Sequence, residues 1–309
     1  MEKTGGMKME NSYHVPVMLS ECIEGLNINP SGVYVDVTFG GGGHSREILK
    51  KLDKNGVLIA FDQDPDAQQN KINDSRFLFV DQNFSFLKNN LRLLGYKQVD
   101  GILADLGVSS HQFNEPARGF STRFEADLDM RMDKQRSLTA SNVLNTYSED
   151  KLHKIFGIYG EVKNAKSLAH AVVTGRMDNP IVSLADFKKV ITAQIPKGKE
   201  NKYMAQVFQA LRIEVNAEID ALESFLLQAP DVLKPGGRLV VMSYHSLEDR
   251  PVKNFIAKGK FKGEVEKDFF GNEQKPFNVI TRKAIMASEI ELTTNSRARS
   301  AKLRIGEKL

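Results

Sequence analysis

The 309-residue chain has no tryptophan, a single cysteine and no long hydrophobic run. With Cys22 alone, neither an intramolecular disulfide nor a cysteine metal cluster can form, and we expect a reducing cytoplasm. No apolar stretch approaches the length of a membrane-spanning helix. The first residues, MEKTGGMKMENSYHVP, lack the apolar centre of a secretory signal. What remains is an ordinary globular composition, with 41% hydrophobic and 27% charged residues.

Positive charge is unevenly distributed along the chain, although the net charge is only +4. Residues 251–309 hold 13 Lys and Arg against 7 Asp and Glu, and residues 163–202 hold 8 against 3. Charge alone slightly favours an ordinary solvated lysine surface. The alternative is an anionic partner, such as nucleic acid, bound by the two basic regions.

Strand-like and helix-like segments alternate in the first hundred residues. Four apolar, turn-bounded segments predict buried strands: GVYVDVTF (32–39), GVLIAFDQD (56–64), RFLFVD (76–81) and VDGILADLG (99–107). The segments between them, such as SREILKKL and FSFLKNNLRLLG, have helical spacing. This alternation predicts an α/β fold with an open, mostly parallel sheet covered by helices on both faces.

The alternation stops near residue 110, where a long loop without helical periodicity begins. Helical patterns then run to about residue 228, ending with MAQVFQALRIEVNAEIDALESFLLQA as one segment, and strand patterns return from LKPGGRLVVMSYHS (233–246) onward. We therefore predict a discontinuous α/β domain at 1–114 and 211–309. An inserted, mainly helical domain is predicted at 115–210.

Four consecutive glycines, Gly40 to Gly43, follow the first predicted strand. In open parallel sheets, ligands bind beyond the carboxyl ends of the strands. A glycine turn there lets backbone amides approach a ligand at the head of the next helix. Tight turns also use glycine for steric reasons alone, so the run by itself does not establish a binding site.

Asp62 ends the second predicted strand, where a carboxylate can accept hydrogen bonds from both ribose hydroxyls. Asp64 is better placed as a helix cap before Pro65. The glycine turn and Asp62 together indicate a nucleoside-bearing cofactor, either a dinucleotide or S-adenosylmethionine. Ser45 interrupts the G-x-G-x-x-G pattern, which does not fit a dinucleotide cleanly.

Two further predicted strand ends carry candidate catalytic residues, Asp105 in LADLGVSS and His245 after LKPGGRLVV. A carboxylate at the mouth of a sheet often faces the cofactor or the reacting group, although it can also cap its own loop. A lone histidine is more often structural than catalytic. Ser246 and Asp249 predict a capping box for the next helix.

Seven segments, in order, resemble one family: TFGGGGHS, AFDQDP, LADLGVSSHQF, RGF, LDMRMD, LKPGGRLVVMSYHSLEDR and SRARSAKLRI. The chain resembles the MraW-like bacterial ribosomal RNA cytosine-N4 methyltransferases from residue 14 almost to the C-terminus. This resemblance implies a Rossmann-like class I methyltransferase sheet and S-adenosyl-L-methionine as cofactor. It also implies N4-methylation of a cytidine in the decoding region of 16S ribosomal RNA, within the small ribosomal subunit.

The resemblance further implies a set of cofactor contacts. They are Gly42, Gly43, His44, Asp62, Phe84, Asp105 and Gln112. The glycine backbone would hold the methionine end, Asp62 the ribose, and Phe84 would lie near the adenine. Two departures from the family pattern are the unbroken glycine run and EADLDMRMD, which lacks the usual Gly-Pro pair before LDMRMD.

The reaction calls for a hydrogen-bond acceptor near the amine, and Asp105 or a carbonyl of DLGVSS is our hypothesis for it. Tyr244 or Phe120 could supply a stacking surface, because the chain has no Asn/Asp-Pro-Pro-aromatic motif. In LDMRMD, Leu128, Met130 and Met132 alternate with charged residues, which predicts an extended segment with one buried face and no required metal.

Basic side chains in the inserted domain and the C-terminal region are candidate phosphate contacts. They are Lys188, Lys189, Lys197, Lys199, Lys202, Arg297 and Arg299. Two other functions stay open at this stage: a nicotinamide-dependent dehydrogenase, and an RNA-binding ribosome-assembly factor without catalysis. The oligomeric state is also open.

Overall fold

The computed structural model describes residues 16–309. The first fifteen residues of the predicted methyltransferase domain, including the segment tested for a secretory signal, lie outside the described residues. Among residues 16–309, no helix is both long enough and apolar enough to cross a bilayer.

Seven strands form the central sheet. They are β1 (Val33–Asp36), β2 (Val57–Phe61), β3 (Phe77–Val80), β4 (Val99–Asp105), β5 (Leu233–Ser243), β8 (Phe277–Val279) and β9 (Lys302–Lys308). Their order is β3-β2-β1-β4-β5-β9-β8, with the first five parallel and the last two antiparallel to their neighbours. A separate ribbon pairs β6 (Glu266–Lys267) with β7 (Glu273–Gln274). The predicted mostly parallel α/β sheet is confirmed.

Helices cover both faces of this sheet. They are α1 (Leu19–Leu26), α2 (Gly43–Lys51), α3 (Leu87–Leu93), α4 (Ser110–Asn114), α10 (Glu218–Val232), α11 (Ser246–Lys258) and α12 (Glu289–Thr294). Ile102 and Ala104 of β4 pack in a core with α3, α10 and α11, whereas Leu103 packs in a second core with α1 and α2. The side-chain alternation of a strand therefore buries both faces, which explains the near-continuous apolar runs.

Five helices lie between α4 and α10 along the chain. They are α5 (Ala140–Thr146), α6 (Glu149–Ile158), α7 (Ala165–Asp178), α8 (Leu184–Ile191) and α9 (Glu200–Asn216). Their apolar faces bury one another in a core drawn from residues 120 to 215. We call residues 115–216, which contain these five helices and the segments that connect them, the helical block. The block covers the stretch for which the sequence predicts an inserted domain at 115–210, although α9 continues to Asn216.

The last helical segment of the sequence is two helices rather than one. The chain breaks at Ala217, whose φ of 52° lies in the left-handed region, between α9 and α10. The preceding residue, Asn216, is 2% exposed, and its side chain accepts from the backbone N–H of Met132 at 2.7 Å and donates to the carbonyl of Met130 at 2.8 Å. Helical periodicity continues across the break because both helices bury apolar faces, so the pattern alone could not reveal it.

The predicted structureless loop after residue 110 also contains short helical turns. Ser109 and Gln112 form a capping box that starts α4, and a 3₁₀ turn spans Pro116–Arg118. In β5, pairing with β4 jumps from Leu233 to Arg238, so the KPGG segment bulges out of the ladder.

Candidate active site

Four adjacent strands end in polar side chains at one edge of the sheet. Asp62 follows β2, Asp36 ends β1, Asp105 ends β4 and Tyr244 follows β5. Because parallel strands share their carboxyl edge, these groups converge where open α/β sheets bind ligands. The sequence predicted roles here for Asp62, Asp105 and Tyr244, and it missed Asp36.

The glycine turn has separate reasons for its glycines. A Cβ on Gly43 would lie 2.2 Å from Cγ of Pro16, and one on Gly42 would lie 2.9 Å from the ring of Phe39. Gly42 also has a φ of 75°, as the residue before α2. Gly41 differs, since a Cβ there would meet no atom of the described residues within 4 Å. Gly42 and Gly43 are therefore needed for packing, while the bare backbone at Gly41 leaves room for a ligand.

Asp62 is tied to the backbone on both sides. Its Oδ2 accepts from the N–H of Gly40 at 2.7 Å, and its Oδ1 accepts from the N–H of Asp64 at 2.8 Å. Burial outweighs these bonds and raises the pKa of Asp62 to about 7. Each carboxylate oxygen keeps a further lone pair, so the ribose hydroxyls of a nucleoside can donate to this fixed group. The residues present at the turn and at Asp62 thus fit S-adenosylmethionine.

Asp36 organises the first turn of α2. It is 2% exposed, and its Oδ2 accepts from the hydroxyl of Ser45 at 2.6 Å while its Oδ1 accepts from the N–H of Thr38 at 3.1 Å. Burial raises the pKa of this carboxyl despite those bonds. A carboxylate inside the apolar run VYVDV was a usable signal in the sequence.

Asp105 contacts two side chains that approach from different elements. The hydroxyl of Tyr244 donates to its Oδ1 at 2.8 Å, and Nδ1 of His44 lies 3.8 Å from its Oδ2. Burial raises the pKa of Asp105 to about 6, although His44 and the tyrosine hydroxyl act in the opposite direction. Burial, and then the charge of Asp105, raise the pKa of Tyr244, which keeps its proton for this bond.

His44 faces Asp105 because its other nitrogen is fixed. Its Nε2–H donates to the carbonyl of Val17 at 3.1 Å, and the side chain is buried. The sequence placed the backbone of His44 in the cofactor site. The structure adds that its imidazole touches the candidate catalytic carboxylate.

His245 belongs to a second, neighbouring cluster. Its Nε2 lies 3.0 Å from Oε1 of Glu248 and 3.3 Å from the guanidinium of Arg212, which also binds Glu218 at 2.8 Å. Burial would raise the pKa of Glu248, but its bond to His245 and the nearby positive charges lower it overall. His245, Glu218 and Glu248 lie close enough to hold a cation. The guanidinium of Arg212 already supplies positive charge among them.

The predicted capping box after β5 is wrong. The hydroxyl of Ser246 donates instead to Glu161 of the helical block at 2.9 Å, and Asp249 accepts from Arg304 of β9 at 2.6 Å. Glu248 caps the turn by accepting from the N–H of Tyr244 at 2.9 Å. Ser246 and Asp249 therefore bond to residues distant along the chain and do not cap the helix that follows β5.

Gln112 and Phe84, two predicted cofactor contacts, are both held by other parts of the protein. Nε2 of Gln112 donates to Oδ2 of Asp64 at 2.6 Å, and its carbonyl caps α4, so this buried side chain joins the two loops. Phe84 begins a 3₁₀ turn and packs edge-on against Phe225 of α10, with ring centroids 5.6 Å apart. Contacts of either residue with the cofactor stay predictions.

Arg118, in the RGF segment, connects this edge to the helical block. Its NH1 lies 2.9 Å from Asp64 and 2.6 Å from Asp66, and its NH2 donates to the carbonyls of Arg131 and Met132 at 2.9 and 3.0 Å. The side chain is 5% exposed. The RGF motif alone predicted no role for Arg118, because all these partners are distant along the chain or on another loop.

The LDMRMD segment has one buried face, as predicted, but it is not regularly extended. Leu128, Met130 and Met132 are buried, and Asp129 pairs with Arg131 at 2.8 Å. Met130 has a φ of 60°, which interrupts the strand-like conformation. Its neighbours bond to Arg118 and Asn216, and these tertiary bonds hold the bend.

Phe120 is not available as a stacking surface. It is 6% exposed, lies in the core of the helical block, and has the guanidinium of Arg118 5.8 Å from its ring centroid. Of the two aromatic candidates, Tyr244 alone is partly exposed at the strand edge.

The predicted phosphate contacts lie in two groups. In the helical block, Lys197, Lys199 and Lys202 are exposed around the start of α9, and Lys188 pairs with Glu125 at 2.9 Å on α8, which also carries the exposed Lys189. In the C-terminal region, Arg299 is exposed, whereas Arg297 is half-buried against the hydroxyl of Ser110.

The open sheet, the glycine turn after its first strand and the acid after the second strand are arranged to bind a nucleoside-bearing cofactor, as they are in class I methyltransferases. The cofactor of this class is S-adenosyl-L-methionine.

Comparisons with known proteins identify the family. A sequence profile of the MraW methylase family matches residues 11–309. A protein of Phocaeicola vulgatus named ribosomal RNA small subunit methyltransferase H is 56% identical over 296 residues, covering 96% of this chain and 97% of its own. One of the same name from Cytophaga hutchinsonii is 57% identical over 298 residues, covering 96% and 99%. The chain belongs to the MraW methylase family.

A solved structure is also similar in outline. The fibrillarin of Aeropyrum pernix with bound S-adenosyl-L-methionine is 7% identical, covers 93% of this chain and 73% of its own, and has a TM-score of 0.39. The family membership makes this chain an S-adenosylmethionine-dependent methyltransferase, and the dehydrogenase alternative is excluded.

Proposed function

We propose that the protein transfers a methyl group to N4 of a cytidine in the decoding region of 16S ribosomal RNA. The relatives of more than 50% identity are named as small-subunit ribosomal RNA methyltransferases. The N4 position and the decoding region come from the family resemblance of the sequence motifs. Asp105 carries the proposal, because it is a half-buried acceptor with a pKa near 6 beside the cofactor turn, where His44 lies 3.8 Å from it.

The reaction depends more on aligning the amine with the methyl group than on activating either of them. The amine of cytosine is a weak nucleophile because its lone pair is delocalised into the ring, and S-adenosylmethionine supplies a methyl group already activated by a positive sulfur. The protein must therefore hold the amine in line with the methyl group and exclude water. A base in a stacked helix cannot reach such a recess, so the target cytidine must be turned out of its stack.

Asp105 is the proposed acceptor for the amine hydrogen. With a pKa near 6 it is mostly ionised at neutral pH, and its Oδ1 is held by the Tyr244 hydroxyl. An acceptor of this kind localises the lone pair on the amine and takes up the proton as the new N–C bond forms. The S–CH3 bond of the cofactor would break as the N–C bond forms, which would leave neutral S-adenosylhomocysteine. The proton released by the amine would pass to Asp105 and then to solvent.

Tyr244 and His245 have proposed supporting roles. The ring of Tyr244 is partly exposed beside Asp105, so it can both fix the carboxylate and offer a surface for the base. His245 bonds Glu248, and Glu248 in turn accepts from the backbone of Tyr244. We therefore assign His245 to positioning the Tyr244 turn rather than to proton transfer.

RNA recognition is proposed for the helical block and the C-terminal region. The block joins the cofactor edge through Arg118, whose guanidinium bridges Asp64 and the LDMRMD segment. Its exposed lysines offer phosphate contacts, and the long loop between α4 and α5 can approach the extruded base. The single cysteine is buried and fits the reducing cytoplasm, where small subunits are made.

The test uses small ribosomal subunits that lack the modification. The purified protein is incubated with them and with labelled S-adenosylmethionine, and the RNA is digested to identify the labelled nucleoside. We expect labelled N4-methylcytidine at one position, and none with the Asp62→Ala variant. Label on another nucleoside would refute the N4 assignment. Cofactor binding without any transfer to subunits, precursors or naked RNA would favour the assembly factor.

A further inference from the structure

Two arginines from distant parts of the chain meet at the side chain of Asn114. The NH2 group of Arg123 donates to Oδ1 of Asn114 at 3.3 Å, and the NH2 group of Arg297 lies 3.5 Å from the same oxygen. Arg297 also donates to the hydroxyl of Ser110. Two guanidinium groups therefore share one neutral acceptor, although both are positively charged.

Within residues 16–309, neither Arg123 nor Arg297 forms an ion pair with a carboxylate. Three other arginines that are largely buried have an acidic partner: Arg118 pairs with Asp64, Arg212 with Glu218 and Arg304 with Asp249. The half-buried Arg136 and Arg176 instead donate to backbone carbonyls. Burial, followed by the charge of Arg123, lowers the pKa of Arg297. The pair is thus a local excess of positive charge that an anion would relieve.

The guanidinium of Arg123 is held in position by aromatic rings. It lies 4.9 Å from the ring centroid of Phe113 and 5.5 Å from that of Phe124, and its Nε donates to Ser121 at 3.3 Å. These contacts are neutral and leave donors of an exposed side chain available. A prearranged guanidinium loses less freedom when it binds an oxyanion.

The arginine pair stands beside the reacting carboxylate. Ser110 and Asn114 belong to α4, which begins five residues after Asp105 ends β4. Tyr244, which donates to Asp105, is also close enough to Arg297 to influence its pKa. An anion at the pair would lie at the start of α4, where Ser109 is also a neighbour of Gly40, since a Cβ on Gly40 would lie 3.7 Å from the Cβ of Ser109.

We propose that Arg123 and Arg297 together bind one phosphate of the RNA backbone next to the target cytidine. This inference rests on the proposed function and adds a named contact to it. Guanidinium groups match phosphate oxygens in paired hydrogen bonds, and a nucleotide turned out of its stack needs its flanking phosphate held. Arg123 would thus join the predicted contact Arg297, and the two would act as one site.

The experiment compares Arg123→Gln, Arg297→Gln and the double variant with wild type. Arg92→Gln is the matched control, because Arg92 is exposed in the last turn of α3, which leads to the amino end of β4. Methylation of small subunits gives kcat and KM at several salt concentrations, and calorimetry gives the Kd for S-adenosylmethionine. Binding of a labelled single-stranded RNA of the target region is measured in parallel, independently of methyl transfer.

For each single variant we expect KM and the RNA Kd to rise about tenfold, as for a lost charge-assisted bond. In the double variant, KM and the RNA Kd should increase by less than the product of the two single-variant increases, because one phosphate binds both side chains. The salt dependence of RNA binding should weaken, by about 0.7 in the logarithmic slope per lost phosphate contact. The cofactor Kd and the Arg92→Gln values should stay at wild type.

Unchanged RNA affinity in Arg123→Gln, an exposed position where folding is not in question, would overturn the inference. A raised Kd for S-adenosylmethionine with normal RNA affinity would also overturn it, because the pair would then bind the carboxylate of the cofactor. If wild type methylates no subunit, the proposed function fails, while the RNA-binding comparison still decides the arginine site. Thermal unfolding of Arg297→Gln, with Arg297→Lys as the conservative variant, separates a folding defect from lost binding.

Discussion

The carboxylates on the cofactor side and the reaction side of the active site are held by different kinds of partner. On the cofactor side, Asp62 bonds to backbone N–H groups of Gly40 and Asp64, within 22 residues of itself. On the reaction side, Asp105 is held by the side chain of Tyr244, 139 residues away. Burial raises both carboxyl pKa values, to about 7 and about 6.

The difference concerns what each carboxylate can do. Bonds to a rigid turn fix Asp62 as a binding group, since its oxygens cannot move without disturbing the glycine loop. Asp105 meets hydroxyl and imidazole groups, which can rearrange their hydrogens when a proton arrives. The cofactor side is therefore suited to recognition and the reaction side to proton transfer, and the following variants test that division.

Asp62→Ala should give the largest effect. It removes the ribose acceptor and also frees the N–H groups of Gly40 and Asp64, so we expect the cofactor Kd to rise more than about 100-fold. Calorimetric titration with S-adenosylhomocysteine measures this. Binding within a few-fold of wild type would mean that the ribose is held elsewhere.

Asp105→Asn should reduce kcat by about 100-fold, the usual size of a general-base contribution, with only a few-fold change in cofactor Kd. In wild type, kcat should fall as pH drops through about 6, because protonation removes the acceptor. The variant should lose that pH dependence. Single-turnover rates between pH 5 and 8.5 provide the measurement, and a wild-type rate independent of pH would contradict the assignment.

Cofactor affinity should depend on pH through Asp62. Ribose hydroxyls donate to the ionised carboxylate, whose pKa is about 7, so affinity should be constant above that pH. Below it, Kd should rise about tenfold per pH unit, because the proton must leave before binding. Calorimetry from pH 5.5 to 8.5 tests this, with Asp105→Asn as a control that should keep the same profile.

Two alanine substitutions separate the packing and binding roles of the glycine turn. Gly43→Ala would place its Cβ against Pro16 and should lower the free energy of unfolding by about 1–3 kcal/mol. Gly41→Ala meets open space and should leave unfolding nearly unchanged while weakening cofactor binding. Urea unfolding and calorimetry measure both. Equal stability losses would show that the turn is purely structural.

The exposed lysines of the helical block should give the smallest effect. Replacing Lys197, Lys199 and Lys202 with Gln should raise KM for small subunits about threefold at low salt, and less at high salt. Lys51 and Lys54, exposed near the amino end of β2, are matched control positions. A KM unchanged across salt concentrations would remove these lysines from the RNA surface.

Much of the fold follows from local pattern. Buried parallel strands give continuous apolar runs, and their spacing with helices predicted the sheet and the position of Asp62 at a strand end. The break at Ala217 could not be predicted this way, because periodicity records burial and not the tertiary bonds of Asn216. The capping box at Ser246 failed for a similar reason, since Glu161 and Arg304 compete for its members.

The sequence by itself determined the sheet and the position of Asp62 and Asp105 at strand ends, because these depend on neighbours within a few tens of residues, and its resemblance to a family indicated the cofactor. Only the tertiary structure decided which side chains meet across the edge. Asp105 with Tyr244, Arg118 with Asp64, and Arg123 with Arg297 each join distant segments. Hydrogen bonds and ion pairs act over a few ångströms. Contacts between residues that are far apart in the sequence therefore cannot be predicted from local pattern and become visible only in the folded structure.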